Sequence, residues 1–249
     1  MTNQTKQCAL ITGGSQRIGK EMAIFLAQNN YDVVIHYNKS EKSAQELLKF
    51  LKQQYCINGG IVGGDLSDKS STREIANYMI NNFPNWNLLI NNASIFNKSK
   101  FIENIEDEFE KNLAIHLISP AFLSYFFAKN VINNNISDAQ IINMIDKNIA
   151  RYDTINFYYL LSKKCLAEFT KMLALQLAPK VRVNAIAPGY IEINHTHSQY
   201  AAKILQIIPL KKIGDVKNII QTLEFLLKND FINGQILSID GGASLNHAG

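Results

Sequence analysis

QCALITGGSQRIGKEMAIFLAQNN, residues 7–30, carries the reading on which the fold rests. Its opening, QCALIT, is a short apolar run with the length and composition of a buried strand. GGSQRIG then interrupts the run with glycines, and IGKEMAIFLAQNN returns apolar residues at helical spacing. Strand, glycine turn and helix in that order begin a parallel α/β unit. Gly13, Gly14 and Gly19 let backbone amides and a helix N-terminus come close to a pyrophosphate. An ordinary strand-to-helix connection uses the same residues, so the turn alone leaves both readings open.

Outward from that unit the alternation continues. YDVVIHY reads as the second strand, EKSAQELLKFLKQQY as an amphipathic helix, and GGIVGGD as a third strand ending at Asp65. The helix STREIANYMINNF, the strand NLLINNAS, a long helical region to about residue 130, and the strand AQIINMID follow. A helix over about 156–177, the strand VRVNAIAPG, a variable loop from Tyr190, a helix near 216–228 and the closing strand QILSIDGG complete the chain. Strands separated by helices predict a doubly wound α/β domain: a seven-stranded, mainly parallel sheet with helices on both faces. No linker rich in Pro, Gly or Ser divides residues 1–249, so a single domain is expected. Ligands of such sheets lie outside the carboxyl ends of the strands at the switch in strand order, where Gly13, Asp65, Asn91 and Asp146 all fall.

Composition narrows the partners. With 47% apolar and 18% charged residues the chain can bury a core, and its net charge of +4 (pI about 8.8) is spread rather than clustered as a nucleic-acid footprint requires. Cys8, Cys56 and Cys165 are far apart and odd in number, which predicts reduced thiols rather than a disulfide frame or zinc site. The start, MTNQTKQ, is polar, and no apolar run approaches the ~18 residues of a membrane span. A soluble cytoplasmic protein without membrane or nucleic-acid partners is expected.

The chemistry is concentrated in IINMIDKNIARYDTINFYYLLSKK, residues 141–164. An apolar strand ends in Asp146, and Tyr159 and Lys163 open a helix four positions apart, on one face. A phenol titrates near pH ~10 unaided, and a neighbouring ammonium favours its ionised form, which would make it a proton donor and acceptor nearer neutrality. Bare Tyr-x-x-x-Lys spacing is cheap, since Tyr125 and Lys129 repeat it inside SPAFLSYFFAKN with no polar strand end before them. The second strand ends His36-Tyr37-Asn38-Lys39-Ser40, where a carboxylate for ribose hydroxyls would suit NADH. Lysine, amide and hydroxyl instead suit a 2′-phosphate and favour NADPH, although a solvated basic turn uses the same residues.

Thr12-Gly13 through Gly19, Asn91-Asn92-Ala93, Tyr159 with Lys163, Arg182-Val183-Asn184 and Pro188-Gly189, in that order, resemble the short-chain dehydrogenase/reductase family over essentially the whole chain. The fold implied is a single Rossmann domain. Arg17 in place of the central glycine, Ser94 after Asn91-Asn92-Ala93, Asp146 at the usual serine position, the HYNKS run and Phe96 further resemble the pteridine reductase branch, which includes dihydromonapterin reductases and uses NADPH.

That resemblance implies a role for each position. Gly13, Arg17, Ile18, His36, Tyr37, Asn38, Lys39, Ser40, Asp65, Leu66, Asn92, Ala93, Ser94, Tyr159, Lys163, Pro188 and Gly189 would hold the cofactor, Asp65 meeting the adenine amino group. Arg17, Ser94, Phe96, Asp146 and Tyr159 would hold the substrate, with Phe96 stacked on a pterin ring. Asp146, Tyr159 and Lys163 would form the catalytic trio, joined by His116, which stands where the family has a catalytic asparagine. His116 either anchors a water chain or is a satisfied core imidazole, and Asn112 is a second candidate for the asparagine's part. His195 and His197 have no third ligand at a usual spacing, so no metal is expected, and the tail carrying His247 could reach a neighbouring subunit. The helix NLAIHLISPAFLSYFFAKN is apolar nearly all round, which a buried core or the homotetramer common in the family would explain.

Chemistry supports the branch separately. A serine hydroxyl can donate to a substrate oxygen as it gains charge, whereas an ionised Asp146 only accepts and would repel that charge. A substrate with N–H groups and a ring nitrogen to protonate fits better. The leading expectation is NADPH-dependent reduction of a dihydropterin, extending to dihydrofolate, with Tyr159 as proton donor. A carbonyl reductase acting on 3-oxoacyl thioesters and a non-catalytic dinucleotide sensor are the alternatives.

Overall fold

The computed structural model describes residues 6–102, 105–152, 154–192 and 201–245. Its first half runs β1 (Cys8–Ile11), α1 (Arg17–Gln28), β2 (Asp32–Tyr37), α2 (Glu41–Tyr55), β3 (Gly60–Gly63), α3 (Lys69–Asn82) and β4 (Trp86–Asn91). There follow α4 (Glu110–Leu113), α5 (Ser119–Asn133), β5 (Ala139–Met144), α6 (Phe157–Leu177), β6 (Val181–Pro188), β7 (Ile191–Glu192), α7 (Ala201–Ile207), β8 (Gly214–Asp215), α8 (Val216–Lys228) and β9 (Ile236–Ile239). The main sheet has seven strands in the order β3-β2-β1-β4-β5-β6-β9, every neighbouring pair parallel. The strand order reverses between β1 and β4, which opens the crevice at their carboxyl ends.

Period-two alternation builds a core on each face. Ala9 and Ile11 pack with Met22 and Leu26 of α1 on one side, while Cys8 and Leu10 face Trp86 and Phe127 on the other. The Trp86 and Phe127 rings meet edge-on at 4.9 Å, both fully buried. Helix starts are fixed by local chemistry. Asp68 accepts from the amides of Ser70 and Ser71 at the head of α3, and Asp215 with Asn218 closes a capping box at the head of α8.

The expected strands and helices are found within a few residues of their predicted ends. Four features are additional, the first being α7 (Ala201–Ile207), within the stretch from Tyr190 expected to be a variable loop. β7 and β8 form a separate two-stranded parallel pair, too short to leave a pattern in sequence. A 3-10 turn covers Lys147–Ala150. The helical stretch before α5 includes two π-helical turns, Ile105–Phe109 and Ala114–Ile118. One expectation is corrected: the stretch Ile105–Asn133 is long and apolar enough to cross a membrane. More than half of its apolar window is buried inside the molecule, and Asn112, His116 and Ser124 lie buried on it, so it is a core helix.

Candidate active site

The glycine turn is held from three directions. Gly13 has φ +60°, and its amide donates to His36 Nδ1 at 3.0 Å, while the Gly14 amide donates to the His36 carbonyl at 3.0 Å. A Cβ on Gly19 would lie 2.5 Å from the Gly13 carbonyl oxygen, so this position tolerates glycine alone. From β4, Asn92 Nδ2 donates to the carbonyls of Thr12 (2.9 Å) and Gly13 (3.1 Å), and Thr12 Oγ1 accepts from the amides of Asn92 and Ala93. Thr12, to which the sequence assigned no role beyond its place in the motif, is thus a clamp between the two strand ends. Arg17 has φ +52°, the left-handed region, where its family position favours glycine.

The turn forms one wall of a cleft of about 810 Å³ at the strand switch. Gly13, Arg17, Ile18, His36, Tyr37, Asn38, Lys39, Ser40, Asp65, Leu66, Asn92, Ala93 and Ser94 all line it, which gathers the first four strand ends into one surface. Arg17 and Lys39 present cations to it, and Ser40 Oγ shares a 2.7 Å hydrogen bond with Ser15. Asp65 accepts from the amide and hydroxyl of Ser67, which together hold its carboxyl below the usual carboxylate range. His36 plays a different part from its neighbours. Its Nδ1 accepts from Gly13 and its Nε2–H donates to the Gly64 carbonyl at 3.0 Å, and burial lowers its pKa to about 4. It is a neutral strut beneath the turn rather than a cation for phosphate.

At the next strand end, Asp146 Oδ2 accepts from the Tyr159 hydroxyl at 2.9 Å and Oδ1 accepts from the Asn148 amide at 2.7 Å. That pairing separates Tyr159 from Tyr125, whose exposed hydroxyl accepts from Lys129 at 3.3 Å. Lys163 Nζ donates to the Met144 carbonyl at 2.9 Å and stands 5.8 Å from the Tyr159 ring centre. Burial lowers the Lys163 pKa to about 8, opposed by the Asp146 charge. The expected depression of the Tyr159 phenol is corrected: burial first, then the charge and hydrogen bond of Asp146, push it well above its ordinary value. In this state Tyr159 is a firmly protonated donor.

His116 lies in the π-helical turn, 1% exposed, with Nδ1 2.8 Å from Ser162 Oγ and Nε2 3.0 Å from Ser94 Oγ. Burial, then the Lys163 charge, lowers its pKa to about 2. Both ring nitrogens of His116 thus find partners within the protein. Asn112 turns away, its amide donating to the Glu108 carbonyl at 2.7 Å. Phe96, two residues after Ser94, is 62% exposed, its ring edge-on to Tyr159 at 4.8 Å.

Pro188 and Gly189 pair with the end of β9: Pro188 is in register with Ile239, and the Gly189 amide donates to the Ile239 carbonyl at 2.9 Å. A Cβ on Gly189 would meet Asp240 at 2.6 Å, which explains the glycine by packing. His195, His197 and His247, with most of the loop from Tyr190, lie outside the described residues. Among the described residues no three His, Cys, Asp or Glu side chains gather in a way that could hold a metal ion.

A family profile described as Enoyl-(Acyl carrier protein) reductase matches residues 13–244. The 3-oxoacyl-[acyl-carrier-protein] reductase FabG of Buchnera aphidicola is 32% identical over 244 residues, covering 96% of this chain and 97% of that protein. The dihydromonapterin reductase of Escherichia coli is 27% identical over 237 residues, 95% of this chain and 96% of that protein. Among solved structures, FolM alternative dihydrofolate reductase 1 from Brucella canis, complexed with NADP, superposes with a TM-score of 0.88 at 28% identity, covering 97% of this chain and 95% of that one. With the glycine turn and the Asn92-Ala93 strand end lining one cleft, and Ser94 at its edge joined through His116 to the helix that carries Tyr159 and Lys163, the chain belongs to the short-chain dehydrogenase/reductase family of oxidoreductases.

Proposed function

We propose that this protein is an NADPH-dependent reductase of a dihydropterin, dihydromonapterin or a close relative, extending to dihydrofolate. The observation that carries the reading is the 2.9 Å bond from Tyr159 to Asp146. A carboxylate beside the proton donor repels the oxyanion that grows during ketone reduction, but accepts from the N–H groups a pterin presents. Phe96, exposed and edge-on to Tyr159, offers a face on which a flat heterocycle can stack. Dihydromonapterin and alternative dihydrofolate reductases among the relatives support the same assignment.

The chain's residues fit a dinucleotide phosphate. Gly13, Gly14 and Gly19 admit the pyrophosphate to the head of α1, and Arg17 with Asn38-Lys39-Ser40 supplies cations and hydroxyl for a 2′-phosphate. When bound, reduced nicotinamide supplies the hydride to the carbon of the substrate C=N bond. Tyr159 gives its proton to the nitrogen. Substrate N–H groups occupy Asp146 and free the phenol from it, and the buried Lys163 ammonium stabilises the phenolate as it forms. One hydride and one proton complete the two-electron reduction.

Reduction of a 3-oxoacyl thioester is the second reading, supported by the 32% identical relative. Asp146 and Phe96 oppose it. Following NADPH absorbance with dihydropterin, dihydrofolate and an acetoacetyl thioester decides between them: turnover of the thioester with no pterin turnover refutes the leading reading. We further propose a cytoplasmic homotetramer, supported by Tyr125 and Ile132 on α5 and Met172 and Leu175 on α6, all exposed apolar side chains.

A further inference from the structure

We infer that His116 is a positioning residue: its imidazole clamps the loop after β4, which carries Ser94 and Phe96, to the backbone of Tyr159 on α6. The inference rests on Tyr159 as the proton donor of the proposed reaction. It is argued from hydrogen-bond directions. The Ile95 amide donates to His116 Nε2 at 3.2 Å, so that nitrogen carries the lone pair. Nδ1 therefore carries the hydrogen and donates to Ser162 Oγ at 2.8 Å, and Ser162 in turn donates to the Tyr159 carbonyl at 2.7 Å. The Ser94 hydroxyl completes the set as a second donor to Nε2 at 3.0 Å.

These contacts form a closed circuit. It leaves the Tyr159 carbonyl, passes through Ser162 and His116 to Ser94 and Ile95, and returns through the Phe96 ring, 4.8 Å from the Tyr159 ring. The circuit sets the distance between the stacking face and the acid. The His116 ring is itself edge-on to Tyr159 at 5.4 Å, and the π-helical turn Ala114–Ile118 swings it inward. Lys163 and Tyr159 of α6 are the titratable groups facing it, and burial together with the Lys163 charge keeps the ring neutral to about pH 2. A ring with both nitrogens committed and no accessible second protonation state orients its neighbours without exchanging protons.

Two experiments test this. Histidine side-chain nitrogen NMR of the intact protein should show two imidazoles that stay neutral between pH 5 and 8 with opposite tautomers, His116 protonated on Nδ1 and His36 on Nε2. A His116 signal that titrates in that range, or carries its proton on Nε2, overturns the inference, whatever the substrate proves to be. In steady-state kinetics with whichever substrate is turned over, His116→Phe should lower kcat by about 10- to 100-fold, the scale of a misplacement near 1 Å. Its NADPH affinity should stay within about twofold, and His116→Gln, which keeps a donor and an acceptor, should recover most of the loss. Adding Ser162→Ala to His116→Phe should cost nothing more, because both cut one circuit. Additive losses or an undiminished His116→Phe would overturn the inference. If His116→Phe does not fold, Ser162→Ala alone should lower kcat by a similar factor with NADPH affinity retained, and an undiminished Ser162→Ala would overturn the inference.

Discussion

Replacing Arg17 by glycine should stabilise the protein and weaken its hold on NADPH at the same time. Arg17 sits at φ +52°, where an L side chain costs roughly 1–2 kcal/mol. Glycine removes that strain but adds backbone entropy to the unfolded chain worth roughly 0.5–1 kcal/mol, leaving a net gain of roughly 0.5–1 kcal/mol. In a chain of this size that is a Tm rise of about 2 °C. The lost guanidinium faces the cleft from an exposed position, so the low end of the range for a charge-assisted bond applies, about 1.5 kcal/mol, or about tenfold in Kd. Arg17→Ala is the control, since alanine loses the charge and keeps the left-handed backbone. Thermal melts and NADPH titrations of both variants separate the two effects. Equal Tm for Arg17→Gly and Arg17→Ala would refute the strain argument, and unchanged NADPH affinity in both would remove Arg17 from the phosphate site.

Three further outcomes follow from the same geometry. Phe96→Ala should raise the pterin KM by about tenfold or more, the loss of about 1–3 kcal/mol of ring stacking, while NADPH affinity is retained; equal weakening of both ligands counts against stacking. His36 and His116, held neutral down to about pH 4 and about pH 2, take up protons near pH ~6.5 once unfolded, so acid favours the unfolded chain. Urea unfolding should therefore lose about 1.4 kcal/mol per pH unit for each ring as pH falls below ~6.5, and His36→Gln should halve that slope; an unchanged slope would mean His36 is not buried neutral. Lys163 loses its proton as pH rises through about 8, so kcat/KM should fall there, and Lys163→Arg should move that limb beyond reach if the variant retains turnover. A limb unaffected by Lys163→Arg assigns it elsewhere.

Much of the site was legible because its signals are local. The run from Cys8 to Gly19 states strand, turn and helix in adjacent residues, and Tyr159 and Lys163 share a helix face by spacing alone. Asp146 was legible because it ends an apolar strand, and the fold brings it to Tyr159 as that position required. What sequence could not convey depends on direction across the sheet. Nothing in HYNKS tells that the His36 ring turns down to the Gly13 amide while Lys39 faces the cleft. The phenol's shift was misjudged for the same reason: spacing brings Lys163 near, but Asp146 holds the hydroxyl and the ammonium turns to the Met144 carbonyl. The π-helical turns needed tertiary contacts as well, since apolar periodicity does not distinguish one extra residue in a turn.

The clamp between the glycine turn and the end of β4 has a consequence for where the molecule can breathe. The amides of Gly13, Gly14, Asn92 and Ala93 belong to connecting segments, yet each donates to a partner on a neighbouring strand or its extension. Their hydrogen exchange should then follow the unfolding of the sheet rather than loop fraying. A crevice built from such slowly exchanging amides presents a finished surface to a dinucleotide, and little ordering entropy is lost on association.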